Sequence, residues 1–162
     1  EAGEDPLFIA RRMIIFAAED VGNADPRALQ VAVAAKDAFH FVGLPEGRIP
    51  LSQAVTYLAS APKSNASYKA MLAAAEDVKQ HGALPVPLHL RNAPTPLMKG
   101  LGYGRGYKYA HDYEGHVAEQ QHLPDKLADR RYYEPADMGE ERAIRERLER
   151  AREIRSGKPK ES

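Results

Sequence analysis

Two Asp-Pro pairs constrain this chain more than any other feature. Asp5-Pro6 and Asp25-Pro26 each put a carboxylate where a helix start leaves backbone N–H groups unpartnered. Each then adds a proline, which has no N–H to leave unsatisfied. Reading forward, the spacing predicts one helix over about Pro6–Val21 that stops at Gly22, and a second over about Pro26–Val42 that stops at Gly43. Glycine just past the last turn accepts the left-handed conformation that ends a helix. The first helix carries Leu7, Phe8, Ile9, Met13, Ile14, Phe16 and Ala17. A helix apolar round most of its circumference calls for burial on several sides.

The same grammar continues to Gly82. On the second helix Leu29, Ala32, Val33, Lys36 and Phe39 make the expected inner stripe. "GRIPLSQAVTYLASAP" sets Leu51, Ala54, Val55 and Leu58 at helical spacing before Pro62, and "KSNASYKAMLAAAEDVKQHG" sets Tyr68, Met71, Leu72, Ala75 and Val78 on one face. Four helices with short links over residues 5–82 predict a helical bundle. From residue 83 to 136 the texture changes. Pro85 to Pro135 holds six prolines, six tyrosines and four of the six histidines. This irregular Gly/Pro/Tyr-rich segment leaves room for a short helix near Pro96–Gly100 and brief strands around Tyr107–Ala110 and Arg131–Tyr133. Its aromatic content argues for order, because a structureless stretch this long is uncommon in a compact domain. A last helix is expected over 137–155, with Asp137 and Glu140 as cap and third-position partner and Glu141–Arg145 and Glu146–Arg150 as surface pairs. The tail over 156–162 reads as flexible. The fold class is therefore mainly α, as one helical domain over 1–155. The opening at Glu1, already in helix-entry chemistry and without methionine, reads as a fragment of something longer.

Composition removes whole classes of function. Lysine plus arginine equals aspartate plus glutamate at 23 each, so the whole molecule is no electrostatic magnet for nucleic acid or membrane. Cysteine is absent, which excludes disulfides, thiol catalysis and cysteine-based zinc sites and fits a cytoplasmic setting. No apolar run approaches the roughly 18 residues that span a bilayer, and no signal-peptide pattern opens the chain.

The glycines of "KGLGYGRGYKYAHDY", Gly100, Gly102, Gly104 and Gly106, invite a phosphate reading that fails. A phosphate loop needs G-x-x-x-x-G-K-[ST], and no Gly-Lys is followed by serine or threonine; the alternating spacing is also wrong for a dinucleotide fingerprint. The alternative is that the glycines allow positive φ and close backbone approach while tyrosines cover apolar surface. In an extended run, glycines on one side would lie flat on another backbone, and at least two of Tyr103, Tyr107 and Tyr109 would pack on helices. A third reading is contact. Lys63 to Asp112 holds seven basic residues against three acidic ones. Arg91, Lys99, Tyr103, Arg105, Tyr107 and Lys108 thus form a candidate strip for DNA or a protein partner, with tyrosine faces beside cations.

His111, Asp112, His116 and His122 can be drawn as a metal site, but they lack the helical spacing of zinc hydrolases. No nucleophile-elbow G-x-S-x-G accompanies Ser60 or Ser64. Glu19 and Asp20 look like a carboxylate pair, yet neighbours on a helix point in different directions. Carboxylates at a helix C-terminus are unfavourable, which predicts a structural salt link with Arg12, Lys63 or Arg91. No catalytic, cofactor-binding or metal set emerges. A free-standing metal-dependent enzyme built on the histidines with Glu19/Asp20, or a direct DNA-binding module, remain the alternatives.

Four stretches in order, "EDPLFIARRMIIFAAEDVGNADPRAL", "LPEGRIPLSQAVTYLASAPKSNASYKA", "PLHLRNAPTPLMKGLGYGRGYKYAHDY" and "LPDKLADRRYYEP", resemble the C-terminal region of the replication-associated recombination protein A family. These are the bacterial RarA/MgsA AAA+ ATPases, related to the Werner-helicase-interacting protein. Glu19, Asp20, Gly22, Lys63, Asn65, Arg91, Asn92, Gly102, Gly104, Gly106, Tyr132 and Tyr133 fall within these stretches. The resemblance implies a collar-like helical domain that holds a homotetramer of a clamp-loader-like enzyme acting at stalled forks. It places ATP and Mg in an ATPase domain this chain does not contain. It also implies DNA forks, ends or single-stranded gaps and single-stranded-DNA-binding protein as partners, with a cytoplasmic, nucleoid-associated location and no membrane.

Overall fold

Asp5 starts the first helix as its sequence requires: its carboxylate accepts the Leu7 N–H at 2.9 Å. The computed structural model describes residues 3–156, so the tail beyond Ser156 lies outside the described residues. Helix α1 spans Pro6–Phe16. It continues as a widened turn, Ala17–Val21, whose end is marked by the Gly22 N–H reaching back to the Ala17 carbonyl, and then as a tight turn, Gly22–Ala24. Helix α2 is Arg27–Val42, α3 Arg48–Ser60, α4 Ala66–His81, α5 Pro96–Gly100 and α6 Glu141–Ser156. Asp25 caps α2 in the expected way, its carboxylate taking the Arg27 N–H at 3.2 Å and its carbonyl the Ala28 N–H at 3.0 Å. The mainly α reading holds.

The described chain divides into two compact units. One comprises the residues up to Ala73 with Tyr132–Arg145, the other Ala74–Arg131 with the chain from Glu146. The core of the first unit is an alanine seam. Ala10, Met13, Ala17 and Val21 meet Ala28, Ala32 and Ala35 of α2 and Leu51, Ala54 and Leu58 of α3. Small side chains let helix axes approach closely, and ridges then interlock with few voids. This corrects two expectations. The second helix buries Ala28, Ala32 and Ala35, while Leu29 is exposed. The first helix buries one face only, and Leu7, Phe8 and Ile9 remain 43%, 47% and 38% exposed. On α4 the expected apolar face is also open, with Met71, Leu72 and Val78 exposed and Asp77 buried instead.

In the second unit the alternating glycines do not form an extended run. Gly102, Gly104 and Gly106 have φ of +85°, +72° and +79°, so the chain after α5 turns tightly on itself. Among the described residues there is no strand at 107–110 or 131–133. The amides that would form a ladder are used locally. Tyr107 N–H donates to the Gly104 carbonyl at 3.2 Å and Lys108 N–H to the Gln120 side chain at 2.8 Å. An ion pair of 2.6 Å between Arg130 and buried Asp77 ties the ends of this unit's segment.

Helix α6 starts later than its sequence suggests. Asp137 is spent on Arg142, at 3.1 Å, instead of capping the helix. The entry is set by a tertiary contact, Glu140 N–H to the Ala24 carbonyl at 2.9 Å. No helix among the described residues is long and apolar enough to cross a membrane.

Candidate functional site

A polar site of the first unit surrounds Glu141, the first residue of α6, whose side chain is fully buried. Its carboxylate accepts three hydrogen bonds: Ser64 Oγ at 2.6 Å, Tyr133 Oη at 2.7 Å and Ala136 N–H at 2.6 Å. All three donors are neutral. A buried carboxylate without a cation survives only when hydrogen bonds fill its acceptor positions. Tyr133 Oη in turn accepts from Asn23 Nδ2 at 3.2 Å, and the same amide donates to Ser67 Oγ at 3.1 Å. Burial lifts the Tyr133 phenol above its ordinary range; Asn23 opposes this and the Glu141 carboxylate adds to it, so the hydroxyl stays a donor.

Backbone closes the same node. Ser64 N–H donates to the Asp20 carbonyl at 2.8 Å, and Ser64 Oγ accepts Ala66 N–H at 3.3 Å at the start of α4. Gly22 has φ +53°, and a Cβ there would stand 2.6 Å from the Ser64 carbonyl oxygen. Only glycine tolerates both the conformation and the approach. The node therefore locks the end of the first helical segment, the α3–α4 link and the start of α6 into one geometry. With both carboxylate oxygens engaged by hydrogen bonds and the side chain fully buried, the node holds structure. The i,i+4 pairing expected for Glu141 and Arg145 is absent, because the Arg145 guanidinium donates to the Pro135 carbonyl at 2.8 Å. No local signal marks Glu141, since Ser64 lies 77 residues away.

Of the remaining family-motif residues, Glu19, Asp20, Lys63, Asn65 and Tyr132 belong to this first unit. Glu19 and Asp20 sit in the widened turn, and neither has an ion-pair partner among the described residues. The expected salt link is corrected. Lys63 instead folds back on α3, donating to the Leu58 carbonyl at 2.8 Å and to the Ala61 carbonyl, with its ammonium 5.3 Å from the Phe16 ring centroid. Carbonyls left unpaired at a helix C-terminus accept an ammonium, and the negative end of the helix dipole favours it there. The Asn65 carbonyl accepts Lys69 N–H at 3.0 Å as α4 begins, and Tyr132 is half-buried.

A second polar cluster missed by the sequence reading joins α2 to α3. Tyr57 Oη donates to the buried Asp25 carboxylate at 2.5 Å, and Arg27 Nε lies 3.2 Å from its other oxygen. Burial pushes the Asp25 carboxyl up, but the hydrogen bonds from Tyr57 and Arg27 outweigh it and hold the group below its ordinary value. The same bond to Asp25 holds the Tyr57 phenol above its own.

The candidate contact strip lies in the second unit. Arg91 is committed internally: Nε donates to the Val86 carbonyl at 2.6 Å, one terminal nitrogen donates to Tyr103 Oη at 3.2 Å, and the guanidinium lies 5.1 Å from that ring. His89, Arg91, Asn92, Gly104 and Tyr107 line one shallow cleft. Gly104 N–H docks on the Leu88 carbonyl at 2.9 Å. Lys108 is half-buried, with Nζ 4.0 Å from Glu119, whereas Lys99 and Arg105 are exposed. Of the three tyrosines expected to pack, Tyr103 is half-buried, but Tyr107 and Tyr109 are 53% and 54% exposed. The turn that the glycines create points those rings outward. The His111 ring lies tilted against those of Tyr109 and His116, with centroids 5.0 and 4.9 Å away. Burial, with Arg155 and His89 nearby, pushes His122 below its usual range against the Gln120 backbone. Among the described residues no three metal-ligating side chains converge.

The chain thus comprises a helical unit with buried, hydrogen-bonded carboxylates and a turn-rich unit. Over residues 1–152 the chain matches the family described as MgsA AAA+ ATPase C terminal, and it belongs to that family. It is 52% identical over 155 residues to Replication-associated recombination protein A of Coxiella burnetii, covering 95% of this chain and 35% of that protein. The protein of that name from Escherichia coli K12 is 53% identical over 148 residues, 91% of this chain and 33% of its own length. The Bacillus subtilis protein of that name is 42% identical over 139 residues, 86% and 33%. The chain thus spans about a third of the length of these curated relatives.

Proposed function

We propose that this chain is the assembly and partner-docking domain of a clamp-loader-like AAA+ ATPase that serves DNA replication, recombination and repair at stalled forks. In the whole protein, ATP and Mg belong to the nucleotide domain outside this chain, DNA forks or single-stranded gaps are the substrate, and single-stranded-DNA-binding protein is a partner. Copies of this domain associate as a homotetramer in the cytoplasm. One observation carries the reading. Besides the open face of α1, the first unit exposes Phe41 at 92%, Ile49 at 69% and Leu44 at 57% around the turn from α2 to α3. Apolar surface left open to this extent favours protein contact over a solitary monomer. Light scattering of the purified chain at high micromolar concentration, with and without DNA, tests it. A mass of four chains is expected, and a mass that stays at the 17.9 kDa monomer would sink it.

A second reading is direct contact with single-stranded DNA through the second unit. Lys99 and Arg105 are exposed in the same segment as the open rings of Tyr107 and Tyr109, the combination that stacks bases beside a tracked backbone. Titration of a fluorescent oligonucleotide at several salt concentrations tests it. Arg105→Ala should weaken binding and flatten the salt dependence; no measurable binding by the parent chain rejects it.

A further inference from the structure

The shallow cleft of the second unit has a volume of about 370 Å³, and Arg91, Asn92, Gly104 and Tyr107 are among its walls. Bonds within the unit already fix those walls. The Arg91 guanidinium is spent on the Val86 carbonyl and the Tyr103 hydroxyl, and Gly104 N–H is held on the Leu88 carbonyl at 2.9 Å. His89 Nε2, also at the cleft, lies 2.8 Å from the Gln121 carbonyl. A site built this way has little freedom left to lose when a ligand enters. Two of its side chains are uncommitted. The Asn92 amide is exposed and the Tyr107 ring is 53% exposed, and neither side chain makes a hydrogen bond among the described residues.

An open phenol ring and a free carboxamide at one cleft suit a flat heteroaromatic ring. The phenol offers a face to stack on, and the amide offers a donor and an acceptor side by side for the edge. Charge says what that ring is attached to. No acidic side chain lines the cleft. Lys99 and Arg105, on either side of the turn at 102–104 in sequence, are exposed and form no ion pair among the described residues. Free cations beside a stacking face call for a ring carried on phosphates.

We infer that this cleft takes one unstacked base of a single-stranded DNA segment. The base lies on the Tyr107 ring with its edge bonded to the Asn92 amide, and Lys99 and Arg105 hold adjoining phosphates. This inference rests on the reading of direct contact with single-stranded DNA, and adds the subsite at which a base is gripped. Each of the four bases carries a donor next to an acceptor on its pairing edge, so the amide holds a base without reading which one it is. A duplex keeps that edge paired and both faces stacked, so its bases cannot use the cleft.

Fluorescence anisotropy with the purified chain tests this by comparing an oligo-dT strand with an abasic strand of the same length and phosphate count. The dT strand should bind at least about tenfold more tightly, the worth of one stacked base. A stacked base releases no counterions, so this ratio should persist as added salt lowers both affinities. Tyr107→Ala should weaken binding of dT by about tenfold, and Asn92→Ala by about fivefold through the lost hydrogen bonds. Both should leave the abasic strand bound as before. Tyr107→Phe keeps the ring and should bind dT like the parent. Both side chains are exposed, so thermal melting should be unchanged in these variants. Arg105→Ala should weaken both strands alike. If the parent binds the two strands equally, or Tyr107→Ala weakens both by the same factor, the inference fails while the contact reading stands. Asn92→Ala that binds dT like the parent also overturns it. No binding of either strand by the parent removes both.

Discussion

The hydroxyl of Ser64 donates a 2.6 Å hydrogen bond to the fully buried carboxylate of Glu141, 77 residues further along the chain. Ser64 ends the link after α3 and Glu141 opens α6, so one bond fixes how the chain returns to the alanine core. The other two donors, Tyr133 and the Ala136 amide, come from the approach to α6. Removing the acceptor therefore strands three donors at once.

Glu141→Ala should destabilise the chain by more than about 1–3 kcal/mol, the usual cost of one stranded buried polar group, because three donors lose their acceptor. Ser64→Ala should cost about 1–3 kcal/mol, because the carboxylate keeps two of its donors. In the double variant the two losses should not add, since the side chains share one bond. Urea unfolding of the four proteins measures this; strict additivity would contradict the node.

Gly22→Ala should cost at least about 1–3 kcal/mol, the ordinary penalty of a strained backbone position, because its Cβ also meets the Ser64 carbonyl at 2.6 Å. Gly104→Ala has a similar positive φ but only a 3.5 Å contact with the Arg91 carbonyl. It should be the milder change in thermal melting. Equal losses at the two positions would mean that close approach adds nothing at Gly22.

Asp25 couples stability to acid. Its folded carboxyl lies below its ordinary value, so its contribution is fully present above the ordinary carboxylate range and is lost as pH falls through the folded value. Tyr57→Phe removes the donor that does most to offset burial. The acid unfolding midpoint of that variant should move to higher pH, with Asp25→Asn less sensitive to pH across the same range. Melting curves between about pH 3 and 7, spanning the carboxylate titration, give the comparison.

Lys63→Gln should cost about 0.5–1 kcal/mol by removing the ammonium from the α3 carbonyls. Glu19→Gln and Asp20→Asn should stay within about 0.5 kcal/mol of the parent, as surface substitutions away from special features do. Chemical denaturation separates these outcomes. A large loss at Glu19 or Asp20 would restore the salt link that the sequence suggested.

Helix starts and stops were legible in the sequence because capping is local. Asp5 and Asp25 each satisfy amides two residues away, and Gly43 follows the last turn of α2 directly. The absence of a phosphate loop was equally plain, since that motif is a contiguous string. The family was legible through four long stretches in order. Reading those stretches for roles was harder. Lys63 and Glu19 are both charged residues near helix ends, and spacing alone cannot say which group each will reach.

What only the tertiary structure decided was which faces turn inward and which distant groups meet. Leu7, Phe8 and Ile9 outrank Ala10 and Ala17 in hydrophobicity, yet the alanines are buried and the larger side chains stay open. Close helix approach rewards small residues with contacts along the whole backbone, and that gain exists only once α2 and α3 are in place. Glu141 likewise looks like any charged residue at the start of a polar helix. Its burial is tolerable only because Ser64, Tyr133 and Ala136 converge on it, and that convergence belongs to the folded chain. Local hydrogen bonding thus determined where the helices lie, and packing over long sequence separations determined what they hold between them.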